Sequence, residues 1–279
     1  MTYSLSDMKC INKGLTAEIY LTKGDKILKL FFPDTYEPRK KREFGILDNI
    51  TVKEGSKLNV PTVLEYVEIE NRSGFIMEQY QYSSLEDKYK MRIIKKVKKT
   101  AKVCQMIRTD ISINGDYYIK DFIRPIIEEA EIPIDMKNFL HKTLNDLPNG
   151  ETVCHGDLHG ENILLPNQDE YMLIDWSEGG KGDYLFEIAK MLTVYQYHPY
   201  PLFEKNALGR NGIVSNITYK VNKKLLDLFL KEMSYVETID MERLQKWQML
   251  LDTMLLKRAD GKRNESVYSK MMLSYQYFK

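Results

Sequence analysis

Two polar segments near the middle of the chain constrain the fold more than any other feature. The first is Asp157-Leu158-His159-Gly160-Glu161-Asn162, in which four residues separate an aspartate from an asparagine. The second is Asp175, which ends the apolar residues 171–174 and follows a turn at residues 166–169. Because only a short hairpin separates the two segments, the carboxylates of Asp157 and Asp175 and the amide of Asn162 are predicted to lie close together. These are hard oxygen groups of the kind that magnesium prefers.

The spacing of these groups fits the needs of phosphoryl transfer. That reaction requires an oriented nucleophile and neutralisation of the phosphate charge by metal and cations. In protein kinases an aspartate begins the catalytic loop, an asparagine follows after four residues, and a metal-binding aspartate lies beyond a hairpin. We therefore predict that Asp157 accepts the proton of a substrate hydroxyl, or orients that hydroxyl. Asn162 and Asp175 are the predicted magnesium ligands.

The residues around these groups resemble a known family, the aminoglycoside phosphotransferase and choline kinase-like enzymes. His155-Gly156-Asp157 replaces the His-Arg-Asp of protein kinases, and Ile174-Asp175-Trp176 replaces their Asp-Phe-Gly. Residues 182–189 resemble the Gly-Asp-x-x-x-(Asp/Glu)-(Leu/Ile)-Ala continuation of the family, which usually has aspartate where this chain has Glu187. The resemblance implies an α+β, bilobal, protein-kinase-like fold with a small β-rich N-terminal lobe and a larger, mainly helical C-terminal lobe.

Residues 1–82 are predicted to form the smaller, nucleotide-binding lobe, including a hinge. Residues 18–22 and 26–31 have the pattern of strands, and Lys23-Gly24-Asp25 is a hairpin turn between them. The other predicted elements of this lobe are a helix over residues 37–50, strands over residues 61–69 and 74–78, and a turn over residues 71–74.

Residues 83–279 are predicted to form the larger lobe, which holds the catalytic loop and the substrate site. Ser84 can cap a long helix that runs to about residue 107, with Glu86 and Asp87 near its positive end. Further predicted helices cover residues 119–129, 135–147, 183–195, 221–234 and 240–257, with short strands in 151–165 and 171–175. A cleft between two such lobes usually binds the ligands.

The resemblance assigns further parts of the site to the smaller lobe. Lys29 stands where the phosphate-binding lysine of the family stands, and Glu43 on the following helix is its expected ion-pair partner. The backbone C=O of Glu78 and the N–H of Tyr80 would pair with the edge of a purine. The expected apolar floor beneath the base consists of Leu164 and Ile174. The implied cofactors are ATP, or GTP, and Mg²⁺.

Four residues near the motifs have less specific predicted roles. His155 is expected to support the catalytic loop, and the resemblance implies that Asp183 bonds the backbone of that loop. His159 and Glu178 are candidates for contact with phosphate or substrate; the alternatives are a satisfied loop histidine and a solvated turn glutamate. The aromatic residues 195–200 close a helix end in our interpretation, although such rings can also bind a quaternary ammonium group.

A metal-dependent hydrolase is the main alternative function. The ligands that zinc could use are Cys154, His155, Asp157 and His159. Against this reading, His141 and His198 are isolated in the sequence and complete no second cluster. A degenerate kinase fold that only binds ligands is disfavoured because the predicted base, the metal ligands and the lysine are all present.

The phosphate acceptor is predicted to be a hydroxyl of a small molecule. Asp175 is followed within a few residues by Gly179-Gly180-Lys181-Gly182 and then a helix, which leaves little room for the activation segment of a protein kinase. The resembling superfamily uses aminoglycosides and other antibiotics, amino alcohols, sugars and nucleosides. The sequence leaves open which of these is the acceptor.

Composition limits the other partners. The formal net charge of +1 gives no reason to expect nucleic acid or membrane held by bulk electrostatics, and no obligate protein partner is evident. The basic clusters Arg39-Lys40-Lys41-Arg42 and Lys95-Lys96-Val97-Lys98-Lys99 interleave with apolar residues at helical spacing, so we interpret both as solvated helix faces. Three scattered cysteines and a polar N-terminus predict a cytoplasmic protein.

Overall fold

The computed structural model describes residues 4–14, 16–197, 212–235, 238–258 and 261–279. Its strands are β1 (Lys9–Lys13), β2 (Ala17–Leu21), β3 (Lys26–Phe31), β4 (Ile50–Val52), β5 (Leu58–Asn59), β6 (Val63–Ile69), β7 (Arg72–Glu78), β8 (Ser83–Ser84), β9 (Ile111–Ile113), β10 (Thr152–Cys154), β11 (Ile163–Leu165), β12 (Tyr171–Leu173) and β13 (Gly180–Gly182). Its helices are α1 (Glu37–Asn49), α2 (Leu85–Lys88), α3 (Ile93–Asp110), α4 (Ile119–Glu129), α5 (Ile134–Asp146), α6 (Tyr184–Tyr197), α7 (Gly212–Ser234), α8 (Met241–Arg258) and α9 (Gly261–Phe278).

An antiparallel sheet of five strands forms the N-terminal part, in the order β1-β2-β3-β7-β6. The hairpin between β6 and β7 turns at Glu70 and Asn71, which have φ angles of 51° and 60°. Two successive residues with positive φ match the right-handed twist of paired strands. The turn therefore lies earlier than the predicted residues 71–74, and Arg72 to Gly74 belong to β7.

Helix α1 packs across one face of this sheet. Phe44 of the helix contacts Tyr66 and Phe75, with ring centroids 5.4 and 6.0 Å apart. The buried side chains of the helix also include two charged ones, Lys40 and Glu43. A buried carboxylate needs a partner, and the position of Glu43 under the sheet brings it to Lys29 of β3.

The C-terminal part is mainly helical, and short β-ribbons carry its loops. β10 pairs with β13, and β11 pairs with both β8 and β12. One hydrophobic core runs from Phe31 and Phe75 in the sheet to Leu140 and Trp247 in the helices. The α+β fold with a β-rich N-terminal region and a helical C-terminal region is thereby confirmed. No helix within the described ranges is long and apolar enough to cross a membrane.

The predicted long helix after Ser84 is wrong, because the chain leaves the helix between α2 and α3. Ser84 caps the short α2 by accepting a hydrogen bond from the Asp87 N–H at 3.0 Å. Tyr89 then leaves helical geometry and is buried in the core. Lys96 is buried as well and pairs with Glu86 at 2.6 Å. The second basic cluster is therefore not a uniformly solvated face. Helix α9 was also not predicted.

Candidate active site

Residues 155–162 connect β10 to β11 and are called the catalytic loop after their predicted role. Hydrogen bonds within the loop hold its shape. The side-chain Nδ2 of Asn162 donates to the Asp157 carbonyl at 2.8 Å, and the Asn162 N–H donates to the His159 carbonyl at 3.0 Å. Gly156 has φ +77°, and a Cβ there would lie 2.2 Å from the Glu178 carbonyl oxygen. The glycine of the His-Gly-Asp motif is therefore required by the close packing of this loop on the segment after Asp175.

Asp175 follows β12 in a backbone conformation that few aspartates adopt. Its φ angle is +63°. The other non-glycine residues with positive φ in the described ranges are Asp25, Glu70 and Asn71, each in a hairpin turn. Left-handed backbone outside a turn costs energy and often marks a functional site. The side chain of Asp175 is 36% exposed, so it faces an open space.

The structure brings together two residues of the smaller lobe and Asp175. Lys29 Nζ donates to Glu43 Oε1 and Oε2 at 2.7 and 2.8 Å, and to Asp175 Oδ1 at 3.2 Å. Lys29 and Asp175 are 146 residues apart in the sequence. Burial alone would lower the pKa of Lys29, but the two carboxylates raise it above its ordinary value. Lys29 in turn lowers the pKa of Asp175 against the effect of burial, so Lys29 and Asp175 are both charged at neutral pH. Burial raises the pKa of Glu43, against the effect of Lys29.

Asp157 carries its charge beside His159. His159 Nε2 lies 3.7 Å from Asp157 Oδ2, and His159 Nδ1 accepts from the Glu161 N–H at 3.3 Å. Burial would raise the pKa of Asp157, but His159 and then Lys190 lower it well below its usual range. Burial would lower the pKa of His159, but Asp157 raises it. Each group thus favours the charged form of the other, although a ring whose Nδ1 accepts the Glu161 N–H carries its proton on Nε2, the nitrogen nearest Asp157.

His155 joins the two motifs. Its Nε2 is 3.0 Å from the Ile174 carbonyl, its Nδ1 accepts from the Asp157 N–H at 3.3 Å, and its ring centroid lies 4.6 Å from that of Trp176. Burial lowers the pKa of His155 to about 4. The imidazole is therefore neutral, with its proton on Nε2.

These bonds leave His155 without a free nitrogen for zinc. Cys154 is buried, and burial raises the pKa of its thiol, which donates to the Asp183 carbonyl at 3.5 Å. Among the described residues, no group of three or more His, Cys, Asp and Glu side chains is arranged to hold a metal ion. The zinc cluster on which the hydrolase alternative rests is therefore not formed.

Part of the chain is similar in sequence to known proteins, and nearly all of it is similar in fold to solved structures. Residues 127–211 match the model of the phosphotransferase enzyme family. The uncharacterized protein sll1119 of Synechocystis sp. is 31% identical over 96 residues, which are 33% of this chain and 24% of that protein. The chain thus spans about a quarter of the length of this relative.

Two solved structures are similar over almost the whole chain. One is a thermostable mutant of aminoglycoside phosphotransferase APH(4)-Ia in a ternary complex with ADP and hygromycin B; it is 15% identical, with a TM-score of 0.53 and coverage of 97% of this chain and 94% of that chain. The other is choline kinase LicA from Streptococcus pneumoniae, which is 19% identical, with a TM-score of 0.54 and the same coverages.

The fold is that of the aminoglycoside phosphotransferases and choline kinase. The resemblance indicated by the motifs is thereby confirmed, and the matched family segment contains the catalytic loop, Asp175 and Glu187.

Within this phosphotransferase fold, Glu187 makes the contacts that were predicted for Asp183. Glu187 Oε2 accepts from the N–H groups of His155 and Gly156 at 2.5 and 3.0 Å. Asp183 Oδ1 accepts from the Leu185 N–H at the start of α6. Its Oδ2 accepts from the Trp247 indole N–H at 2.8 Å. The prediction for Asp183 is corrected for a geometric reason. Asp183 lies just before α6 and bonds the start of that helix, whereas Glu187 lies one turn later and faces the loop.

Glu178 is not a solvated turn residue. Its side chain is fully buried, with Oε1 2.9 Å from Arg39 Nη2 and Oε2 2.5 Å from Lys190 Nζ. Arg42 donates to the Gly179 carbonyl at 2.8 Å and to the Tyr118 carbonyl at 2.9 Å. The interpretation of residues 39–42 as a solvated helix face is therefore wrong, although Lys41 is exposed. These contacts could not be predicted from the sequence because Arg39 and Glu178 are 139 residues apart.

Two of the residues predicted to hold the nucleotide base lie on β7 and β11, and the other two follow β7 and β12. Glu78 ends β7, is exposed, and has its carboxylate 3.8 Å from Lys26 Nζ. Tyr80 is half-buried, and burial raises the pKa of its hydroxyl to about 12. The charges of Lys29, Glu43 and Asp175 are near enough to affect that pKa. Leu164 is buried on β11, and the Ile174 N–H donates to the Asn162 carbonyl at 3.1 Å. The predicted aromatic segment 195–200 lies outside the residues whose side chains the structure describes.

Proposed function

We propose that the protein transfers the terminal phosphoryl group of ATP, or of GTP, to a hydroxyl group of a small molecule. The observation that carries this proposal is the contact of Lys29 with both Glu43 and Asp175, next to the loop that holds Asp157 and Asn162. Phosphoryl transfer needs a fixed cation and an oriented nucleophile at one place. The similar APH(4)-Ia structure contains ADP and hygromycin B, and a structure of LicA contains AMP.

Lys29 is the proposed cation for the nucleotide phosphates. It is buried, charged and fixed by the two oxygens of Glu43. Because a lysine carries rotamer entropy that must be lost on binding, the preformed ion pair reduces the cost of presenting the ammonium group. Glu43 is therefore a positioning residue in this proposal.

Asp157 is the proposed partner of the acceptor hydroxyl. A carboxylate whose pKa is far below neutral pH is a weak proton acceptor. Its main contribution in this proposal is to orient the hydroxyl, with the proton passing to the carboxylate late in the transfer. His159, whose Nε2 is 3.7 Å from Asp157 Oδ2, is the proposed contact for the transferred phosphate.

Asn162 and Asp175 are the proposed ligands of Mg²⁺. The donor set fits this ion because Asp175 is ionised and partly exposed, while Asn162 uses its amide nitrogen on the Asp157 carbonyl and keeps its oxygen as a ligand. When bound, Mg²⁺ would supply neutralisation of the phosphate charge. The Asp175 carboxylate lies 3.2 Å from Lys29 Nζ, beside the proposed cation for the phosphates.

The proposal also covers the two lobes, the base-binding residues, the acceptor and the location. Residues 1–82 would form the nucleotide-binding lobe and residues 83–279 the lobe that binds the acceptor. The Glu78 carbonyl and the Tyr80 N–H would bind the base above Leu164 and Ile174. The acceptor would be an antibiotic, an amino alcohol or a sugar-like molecule. Three free cysteines fit a reducing, cytoplasmic location.

Nucleotide-dependent stabilisation tests this proposal without a known acceptor. A ligand that binds the folded state raises Tm, by the equivalent of about 2.7 kcal/mol at 100 times Kd. We expect Mg²⁺ with ATP or GTP to raise the Tm of the wild type and to have little effect on Lys29→Met. The exposed Lys41→Met variant is the control and should keep the wild-type shift. A requirement for zinc, with no effect of either nucleotide, would contradict the proposal.

A further inference from the structure

Helix α1 contacts the segment after Asp175 through two arginines. Arg39 Nη2 donates to Ser177 Oγ at 3.0 Å and to Glu178 Oε1 at 2.9 Å. Arg42 donates to the Gly179 carbonyl through both Nε and Nη2, at 3.2 and 2.8 Å. A Cβ at Gly180 would lie 2.6 Å from Arg42 Nη2. Gly180 thus leaves room for Arg42 and for the Tyr117 carbonyl, which would lie closer still to such a Cβ.

Glu178 joins Arg39 to a second cation from another helix. Its side chain has no exposed surface, and its Oε2 is 2.5 Å from Nζ of Lys190 on α6. The Lys190 side chain is itself 8% exposed. Removing one partner from a buried ion pair is costly because a buried charge is left uncompensated. Arg39, Glu178 and Lys190, here called the charge triad, therefore form one unit built from three separate parts of the chain.

The charge triad contacts both halves of the proposed reaction site. Arg39 lies one helical turn before Glu43, so both side chains are on the same face of α1. Glu43 fixes Lys29. At the other end, the Glu178 backbone packs directly on Gly156, the residue before Asp157. Lys190 also lowers the pKa of Asp157, after the larger effect of His159.

We propose that Arg39, Glu178 and Lys190 are positioning residues for phosphoryl transfer, which hold helix α1 and the catalytic loop in a fixed relation to each other. The inference rests on the proposed function, because it assigns these residues to the geometry of that reaction. Arg39 holds α1 in place, so that Glu43 and Lys29 keep their position relative to Asp175. The ion pair of Glu178 with Lys190 fixes the backbone on which Gly156 packs. None of the three needs to touch the substrate.

Hydrogen exchange of the ligand-free protein tests the first part. We expect Arg39→Gln to increase amide exchange of α1 and of the catalytic loop by tenfold or more, while Lys41→Gln, on the exposed side of the same helix, leaves it unchanged. Exchange in α5, which is remote from the charge triad, should be the same in both variants. Unchanged exchange of α1 in Arg39→Gln would overturn the inference.

Steady-state kinetics tests the second part with an acceptor found by screening. Arg39→Gln should lower kcat by 10- to 100-fold per folded molecule and change the KM for the nucleotide less than threefold, and Arg39→Lys should recover most of kcat. A merely structural role would lower the amount of folded protein and leave kcat per folded molecule unchanged, which would overturn the inference. If the wild type transfers no phosphate, the proposed function fails, and the exchange experiment alone decides whether the charge triad holds α1.

Discussion

Replacing Glu187 by glutamine should change how the stability of the protein depends on pH. The carboxylate is buried, its Oε2 accepts two N–H groups of the catalytic loop, and its Oε1 has no hydrogen-bond partner among the described residues. Burial raises the pKa of Glu187 from 4.5 to about 7, against the effect of the two N–H groups. Glutamine has the same length and can offer its amide oxygen to the same donors.

The magnitude follows from this pKa. An acid whose pKa is higher in the folded state binds more protons when folded, so stability falls as the pH rises between the unfolded and folded pKa values. For Glu187 that range is from 4.5 to about 7. At about 1.4 kcal/mol per pH unit, the ionised carboxylate costs about 3 kcal/mol above pH 7. Below pH 4.5 the side chain is neutral in both states and carries no such cost.

Urea denaturation of the wild type and of Glu187→Gln at several pH values between 4.5 and 8 measures the effect. The free energy of unfolding of the variant, relative to the wild type, should rise by about 3 kcal/mol across this range. The exposed Glu161→Gln variant, on the same loop, should follow the wild type. A difference between Glu187→Gln and the wild type that stays constant with pH would refute the reasoning.

Three further predictions concern residues around the site. Because Asp157 raises the pKa of His159 against the effect of burial, this ion pair should stabilise the protein fully below pH 6.5 and lose its effect as the pH rises through the raised pKa; His159→Gln should differ in unfolding free energy mainly at the acidic end. Gly156→Ala places a methyl group against the Glu178 carbonyl at positive φ, and we expect a loss of several kcal/mol in denaturation or no folded protein. Trp247→Phe removes the hydrogen bond to Asp183 and should cost about 1.5–3 kcal/mol in the same assay. Equal stability of the variant and the wild type would contradict each of the last two.

The resemblance predicts the contact of Lys29 with Glu43, and the order of elements supports that choice. A lysine in a strand, followed by a helix that carries a glutamate, places both on the side of the sheet that the helix covers. The hairpin before Asp175 similarly fixes where that carboxylate falls relative to the catalytic loop. These predictions depend on local patterns and on the short connections between elements.

Other contacts could not be predicted because they join distant segments. Residues 39–42 are all basic, and nothing local distinguishes Arg39, which contacts Glu178, from the exposed Lys41. The roles of Asp183 and Glu187 depend on where α6 begins, and a difference of one helical turn decides which carboxylate faces the loop. The break between α2 and α3 follows from the burial of Tyr89, which tertiary packing determines.

The central claim is that Asp157 serves the transfer of a phosphoryl group from a nucleotide to a hydroxyl. Transfer of labelled phosphate from ATP to an acceptor, measured for the wild type, Asp157→Asn and the exposed Asp169→Asn, tests it most directly. We predict transfer by the wild type and by Asp169→Asn, and a loss of about 100-fold or more for Asp157→Asn with nucleotide binding retained. Full activity of Asp157→Asn would contradict the account.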